Sequence, residues 1–115
     1  MQKTWIETEN SFGQSDAMKK SARGAYAIEV GQRLAAARAA AGFSQIAFAK
    51  RLGFSTAAKL SNWENGWSMV PPEYAAKIFL LTKVDANYLY LGDATQLPYA
   101  IYERLFPPGQ TGQPS

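Results

Sequence analysis

Between Ala25 and Gly92, glycines at positions 42, 53, 66 and 92 divide the chain into helix-forming segments. The middle segments run only about eight to nine residues, too short for an isolated helix to hold in water. They become stable only by packing on one another, so this stretch is expected to form one all-α unit with tight connections. In the first segment, Ala25 to Ala41, the apolar residues Val30, Leu34, Ala37 and Ala41 recur at intervals of four, three and four. Six alanines between positions 35 and 41 raise its helix propensity, and Gly42 stops it. Ser44 is the expected cap of a second helix with Ile46, Ala49 and Leu52 on one face, ended by Gly53. Ser55 or Thr56 is expected to cap a third, which carries Leu60 and Trp63 inward and closes at Asn65-Gly66.

Val70-Pro71-Pro72 then leads into a fourth helix with the stripe Ala75, Ile78, Phe79 and Thr82, and Leu81 and Val84 add apolar bulk. Asp85 is placed to cap a short fifth helix holding Tyr88, Leu89 and Leu91 and ended by Gly92. The apolar piece Leu97 to Phe106 is expected to add a short sixth helix before a Pro/Gly-rich tail. No β alternation and no internal repeat is visible. The domain boundaries that follow are a flexible arm over 1–24, the helical domain over 25–93, a C-terminal helical extension over 94–106 and a disordered tail over 107–115.

The 115 residues allow one core, and 47% hydrophobic with 18% charged residues is a globular balance. The chain has no cysteine, which excludes disulfides and thiolate metal sites, and no histidine, which removes the commonest general base and metal ligand. No cofactor or metal is therefore implied, and an enzyme is not expected. No apolar run approaches the ~18 residues of a membrane span. The start MQKTWIETENSFGQSD lacks both the basic and the apolar region of a signal peptide, so a cytoplasmic protein is the default expectation. The net charge is +3, and its distribution is uneven. Residues 28–66 hold Arg33, Arg38, Lys50, Arg51 and Lys59 against Glu29 and Glu64. The flanking parts nearly balance, so the positive surplus sits in one block, as a nucleic-acid footprint would.

A short helix, a tight turn and a second short helix form the geometry that presents one helix to a major groove. The pieces VGQRLAAARAAAGFSQ, AFAKRLGFS, LSNWENG, the proline-led helix and VDANYLYLGD stand in register over residues 28–93. In that order they resemble the lambda-repressor-like domain of Cro/C1-type, or XRE-family, transcriptional regulators. The resemblance implies a compact five-helix helix-turn-helix domain that binds double-stranded DNA. It implies that Gln45, at the start of the second helix, touches backbone phosphate, that Ala49 lets the two helices cross closely, and that Gly53 is the turn glycine. It places Ser55, Thr56, Ala57, Ala58, Lys59 and Asn62 on the exposed side of the recognition helix. It also implies a partly buried pair between Arg38 and Glu64 that orients that helix.

Two departures bear on the reading. From Gly53 to Trp63 the chain is one residue longer than the common family spacing, and the extra residue belongs in the turn near Phe54–Ala57. The register of Thr56, Ala57 and Ala58 against base edges is open by one position. The recognition helix also carries one cation, Lys59, and no arginine or glutamine to grip a base bidentately. Asn62 is then the best candidate for a base contact, Ala57 or Ala58 for packing on a thymine methyl, and DNA shape for the rest. Plainer roles stand beside these. Trp63 is a core residue in most settings, and Lys59, Arg33, Lys50 and Arg51 have solvated charge as the alternative to phosphate contact. Lys19, Lys20 and Arg23 read as a basic arm or a solubilising tail. Ile46, where the family usually has a charge, either packs on Trp67 or Phe43 or marks a partner contact.

Three functional readings follow. The leading one is a sequence-specific transcriptional regulator, a repressor of phage or mobile-element type acting as a homodimer, with no small-molecule effector evident. Its dimer contact, or else extra core, falls to the apolar block Tyr88 to Phe106. The second is a protein-interaction module or antitoxin that keeps the fold, and the third, an enzyme, lacks any nucleophile–base constellation.

Overall fold

The computed structural model describes residues 24–108, so all but the last residue of the arm expected over 1–24, and residues 109–115 of the tail expected over 107–115, lie outside the described residues. Six α-helices and no strand are found there. They are α1 (Ala25–Ala40), α2 (Gln45–Arg51), α3 (Ala58–Glu64), α4 (Ala75–Thr82), α5 (Ala86–Leu91) and α6 (Tyr99–Leu105), with a 3-10 turn at Pro72–Tyr74 leading into α4. The all-α architecture and the element order are those the periodicity implies.

The alanine-rich α1 is the central element and touches α3, α4, α5 and α6. Its buried positions Val30, Leu34 and Ala37 follow the predicted stripe. Val30 and Leu34 join Phe48, Ala49, Leu52, Leu60, Trp63, Val70, Ile78 and Leu89 in the main core. Ala37 instead joins Val84 and Tyr88 in a second cluster, covered by Leu97, Ile101, Leu105 and Phe106. Part of the block between Tyr88 and Phe106 thus packs on the domain, while Leu91, Tyr99 and Tyr102 stay exposed. Arg104 on α6 ties this cover down by donating to the Ala40 carbonyl at the end of α1, 2.8 Å away.

Gly31 decides how closely α1 can approach α3. A Cβ on Gly31 would stand 2.4 Å from the Trp63 carbonyl oxygen and 2.6 Å from that of Glu64. These are backbone atoms, which cannot swing aside as the end of a flexible side chain can, so only glycine allows this crossing. A glycine inside an alanine run costs helix propensity, and close backbone approach is its usual compensation.

Buried polar groups finish the frame. Arg33 donates from Nε to the Leu89 carbonyl at 2.9 Å and from Nη2 to that of Tyr90 at 3.3 Å, closing the C-terminus of α5. Burial, with Tyr26 and Glu73 adding to it, pushes the Tyr90 phenol above its ordinary value. Its hydroxyl therefore stays protonated and donates to the Val70 carbonyl at 2.8 Å. After α4 the chain reverses through Lys83, at φ 66°, while the buried Thr82 hydroxyl accepts from Val84 N at 3.1 Å and donates to the Ile78 carbonyl at 2.7 Å.

Several local expectations are corrected. Ile46 is 63% exposed, and Phe48 takes the core position. Phe48, Ala49 and Leu52 form the buried stripe of α2, and Ile46 falls about 110° round the helix from its centre. Phe79, expected in the stripe of α4, is 42% exposed, while Ile78 and Thr82 are buried. Ser44 caps α2 as expected, accepting from Ala47 N at 3.1 Å. Asp85 occupies the cap position of α5 without a side-chain bond to that helix, and its Oδ1 is buried without a partner. Neither Ser55 nor Thr56 stands at the N-cap of α3, which is Ala57 and makes no side-chain bond.

Gly31→Ala is expected to destabilise the domain by ~1–3 kcal/mol or more through overpacking, although alanine is the better helix former. Urea unfolding of the two proteins measures it, and a stabilised variant would refute the close crossing.

Candidate nucleic-acid interface

The second and third helices meet through a connection over residues 52–57. Gly53 lies in it at φ +100°, a conformation that strains any side-chain-bearing residue. Phe54 packs edge-on to Trp63, with centroids 5.5 Å apart, and tilted on Tyr74 at 5.5 Å, and Trp63 and Tyr74 are 5.2 Å apart. Trp63 is 3% exposed and therefore a core residue. This aromatic trio holds the longer turn against the body of the domain, so the additional residue does not loosen it.

The turn also shifts where α3 begins. Ser55 and Thr56, placed by sequence on the recognition helix, lie in the bend ahead of it and are exposed. The nearest approach to a cap is Thr56 Oγ1, which accepts from Ala58 N at 3.4 Å. Ala57 is half-buried against the main core, so its methyl is partly spent on packing. Ala58, Lys59 and Asn62 are exposed on α3 itself, while Leu60 and Trp63 turn inward. Ser55, Thr56, Ala58, Lys59 and Asn62 line an open cleft of about 840 Å³ together with residues that include Ser68, Met69 and Glu73. The Lys59 ammonium sits 5.4 Å from the centre of the Phe54 ring. On α2, Lys50 and Arg51 are exposed in the last turn, and the Arg51 guanidinium lies 5.4 Å from the Phe43 ring centre.

Behind this face, three helices converge on one carboxylate. Arg38 of α1 donates to Glu64 from Nε at 2.7 Å and from Nη2 at 3.2 Å, and its Nη1 donates to the Phe43 carbonyl at 2.8 Å. Gln45, the first residue of α2, donates from Nε2 to Glu64 Oε1 at 3.0 Å, the same oxygen that accepts from Arg38 Nη2. The Glu64 side chain is 6% exposed and that of Arg38 19%, so the pair is shielded from solvent. A carboxylate at the last residue of α3 thereby fixes that helix to the other two.

Of the predicted residues, the structure brings Ser55, Thr56, Ala58, Lys59 and Asn62 to one cleft and joins Gln45, Arg38 and Glu64 by hydrogen bonds at the C-terminus of α3. Arg33, one of the cations considered for phosphate, is turned to the end of α5 instead. Gly31, Phe48 and the Gln45–Glu64 bond were not read from the sequence. An isolated glycine within a helical pattern was the available signal for the first. No metal-binding group of three acidic, histidine or cysteine side chains is present among the described residues, and no helix there is long and apolar enough to cross a membrane.

Removing Arg38 strands the nearly buried Glu64 carboxylate at an expected cost of ~3–5 kcal/mol, and removing Glu64 strands the more exposed Arg38 and should cost less. A double-mutant cycle on unfolding free energy should show coupling of ~1–3 kcal/mol. Additive losses would mean that the ion pair does not join α1 to α3.

A family model described as a helix-turn-helix domain matches residues 29–86, half of the chain and all of α2, the turn and α3. No curated protein and no solved structure matches it. The matched segment contains the short helix, the glycine turn and the pinned second helix whose geometry is given above, and the chain belongs to the helix-turn-helix domain family.

Proposed function

We propose that this chain is a DNA-binding transcriptional regulator that sets the turn and the first half of α3 in the major groove. The observation that carries this reading is the surface of Ser55, Thr56, Ala58, Lys59 and Asn62, left exposed on the turn and on a helix anchored at both ends. The anchors are the aromatic trio at the turn and the Glu64 carboxylate at the C-terminus of α3. Asn62 is the base-reading amide, and Ser55 and Thr56 are hydroxyl contacts. Ala58 is the methyl that packs on thymine in preference to the half-buried Ala57. Lys59, Lys50 and Arg51 supply phosphate contacts, and Gln45 a further one. Arg33 has no part in it, because its guanidinium is engaged with α5.

Within the family, the order of motifs over 28–93 favours the Cro/C1 type. A repressor of phage or mobile-element origin, acting as a homodimer on half-sites ~34 Å apart, is the form that lets so short a helix specify an operator. A second reading, an interaction module or antitoxin, draws on the 63% exposed Ile46 and on the single cation of α3. No small-molecule effector enters either reading.

Selection from a random duplex pool followed by titration against salt distinguishes the two. A palindromic consensus should be enriched, with log K falling against log salt by about 0.9 for each phosphate neutralised. Lys59→Ala should reduce that slope by about 1, while Asn62→Ala should cost ~1–3 kcal/mol and relax preference at one base pair of each half-site. No enrichment together with a shallow salt dependence would leave the interaction module standing.

A further inference from the structure

We infer that Glu64 is a positioning residue for the DNA contact of Gln45, fixing which end of the Gln45 amide faces outward. The inference rests on the DNA-binding reading above and adds the physical means by which one of its contacts is set. A carboxylate can only accept hydrogen bonds, so the side-chain group of Gln45 that meets it must be the NH2 and not the carbonyl. Gln45 Nε2 lies 3.0 Å from Glu64 Oε1, and the two Arg38 nitrogens at 2.7 and 3.2 Å hold that carboxylate in place. One N–H of the amide is then committed to Glu64. The other diverges from it within the amide plane, on a half-buried side chain at the start of α2 beside the exposed Ser44 and Ile46.

That second N–H suits a phosphate oxygen, which also only accepts. Had the amide been free to rotate, either end would face the backbone, and the carbonyl end would repel it. Because Glu64 is also the last residue of α3, the group that orients α3 and the group that orients a phosphate donor on α2 are the same carboxylate. The two contacts with DNA are therefore set in one frame.

The test uses the full chain and the duplex recovered by selection. Gln45→Met keeps the length and removes the donor, and should weaken binding ~10-fold, the loss of one hydrogen bond to a charged group. Its salt slope should not change, since no cation is removed. Glu64→Gln can accept or donate, frees the amide to turn over, and should weaken binding by a similar factor. In the Gln45→Met background the loss from Glu64→Gln should then be smaller than in the wild-type background, what remains being the part that the ion pair with Arg38 contributes through α3. Thermal unfolding of each variant without DNA separates these effects from loss of fold. If Glu64→Gln does not fold, the side-chain amide protons of Gln45 in the labelled wild-type chain decide instead. One proton should be shifted by Glu64 in the free protein and remain so, while only the other moves on adding duplex. Wild-type binding with additive losses in the double variant, or movement of both protons, would overturn this inference alone. A wild-type chain that binds no duplex would overturn the DNA-binding reading as well.

Discussion

The close crossing of α1 over the end of α3 is the constraint on which the other features depend. At Gly31 the two backbones meet with no room for a Cβ against the carbonyls of Trp63 and Glu64. That contact brings Glu64 within reach of Arg38, seven residues further along α1, and the carboxylate in turn reaches the first residue of α2. Trp63, the neighbour of Glu64, fills the space beneath and passes the contact on to Phe54 and Tyr74. A helix of seven residues has little stability of its own. Its orientation comes from being held at the turn by aromatic rings and at its far end by an ion pair with two extra hydrogen bonds.

The same packing redistributes the charge. Five cations lie between residues 28 and 66, and two of them serve the interior. Arg33 closes the C-terminus of α5 and Arg38 holds Glu64. Lys50, Arg51 and Lys59 are what the helix-turn-helix face itself presents. With so few cations, the proposed DNA contact would draw little on non-specific attraction to phosphate and more on the hydroxyls, amide and methyl proposed to read bases. The C-terminal part contributes packing. α6 covers Ala37, Val84 and Tyr88, and burial with Arg104 on the Ala40 carbonyl makes it continuous with the domain.

Helix number, order and approximate limits were legible in the chain because each rests on local chemistry. Alanine propensity, the spacing of Val30, Leu34 and Ala37, the Ser44 cap and the glycines after each segment act within a few residues of themselves. The choice of face was less legible where two apolar residues compete in a short helix. In α2 both Ile46 and Phe48 are apolar, and only the shape of the facing surface of α1 and α3 selects Phe48. The start of α3 was misplaced for a related reason. Ser55 and Thr56 have capping chemistry, but the aromatic packing of Phe54 stretches the turn past them to Ala57. Within the candidate site, the exposure of Lys59 and Asn62 followed from the family resemblance, whereas the half-burial of Ala57 did not.

By itself the sequence determined an all-α chain of short segments that must pack, with a positive block over its middle and a turn between two helices too short to stand alone. Those properties follow from interactions between near neighbours, which a one-dimensional pattern records. Tertiary structure decided which residues meet across the fold. It engaged Arg33 with α5, placed Gly31 under the backbone of α3, and joined Gln45 to Glu64 although 19 positions separate them. Hydrogen bonds and close backbone contacts of this kind depend on distances between helices. Those distances are set by the packed core as a whole, and no single segment contains them.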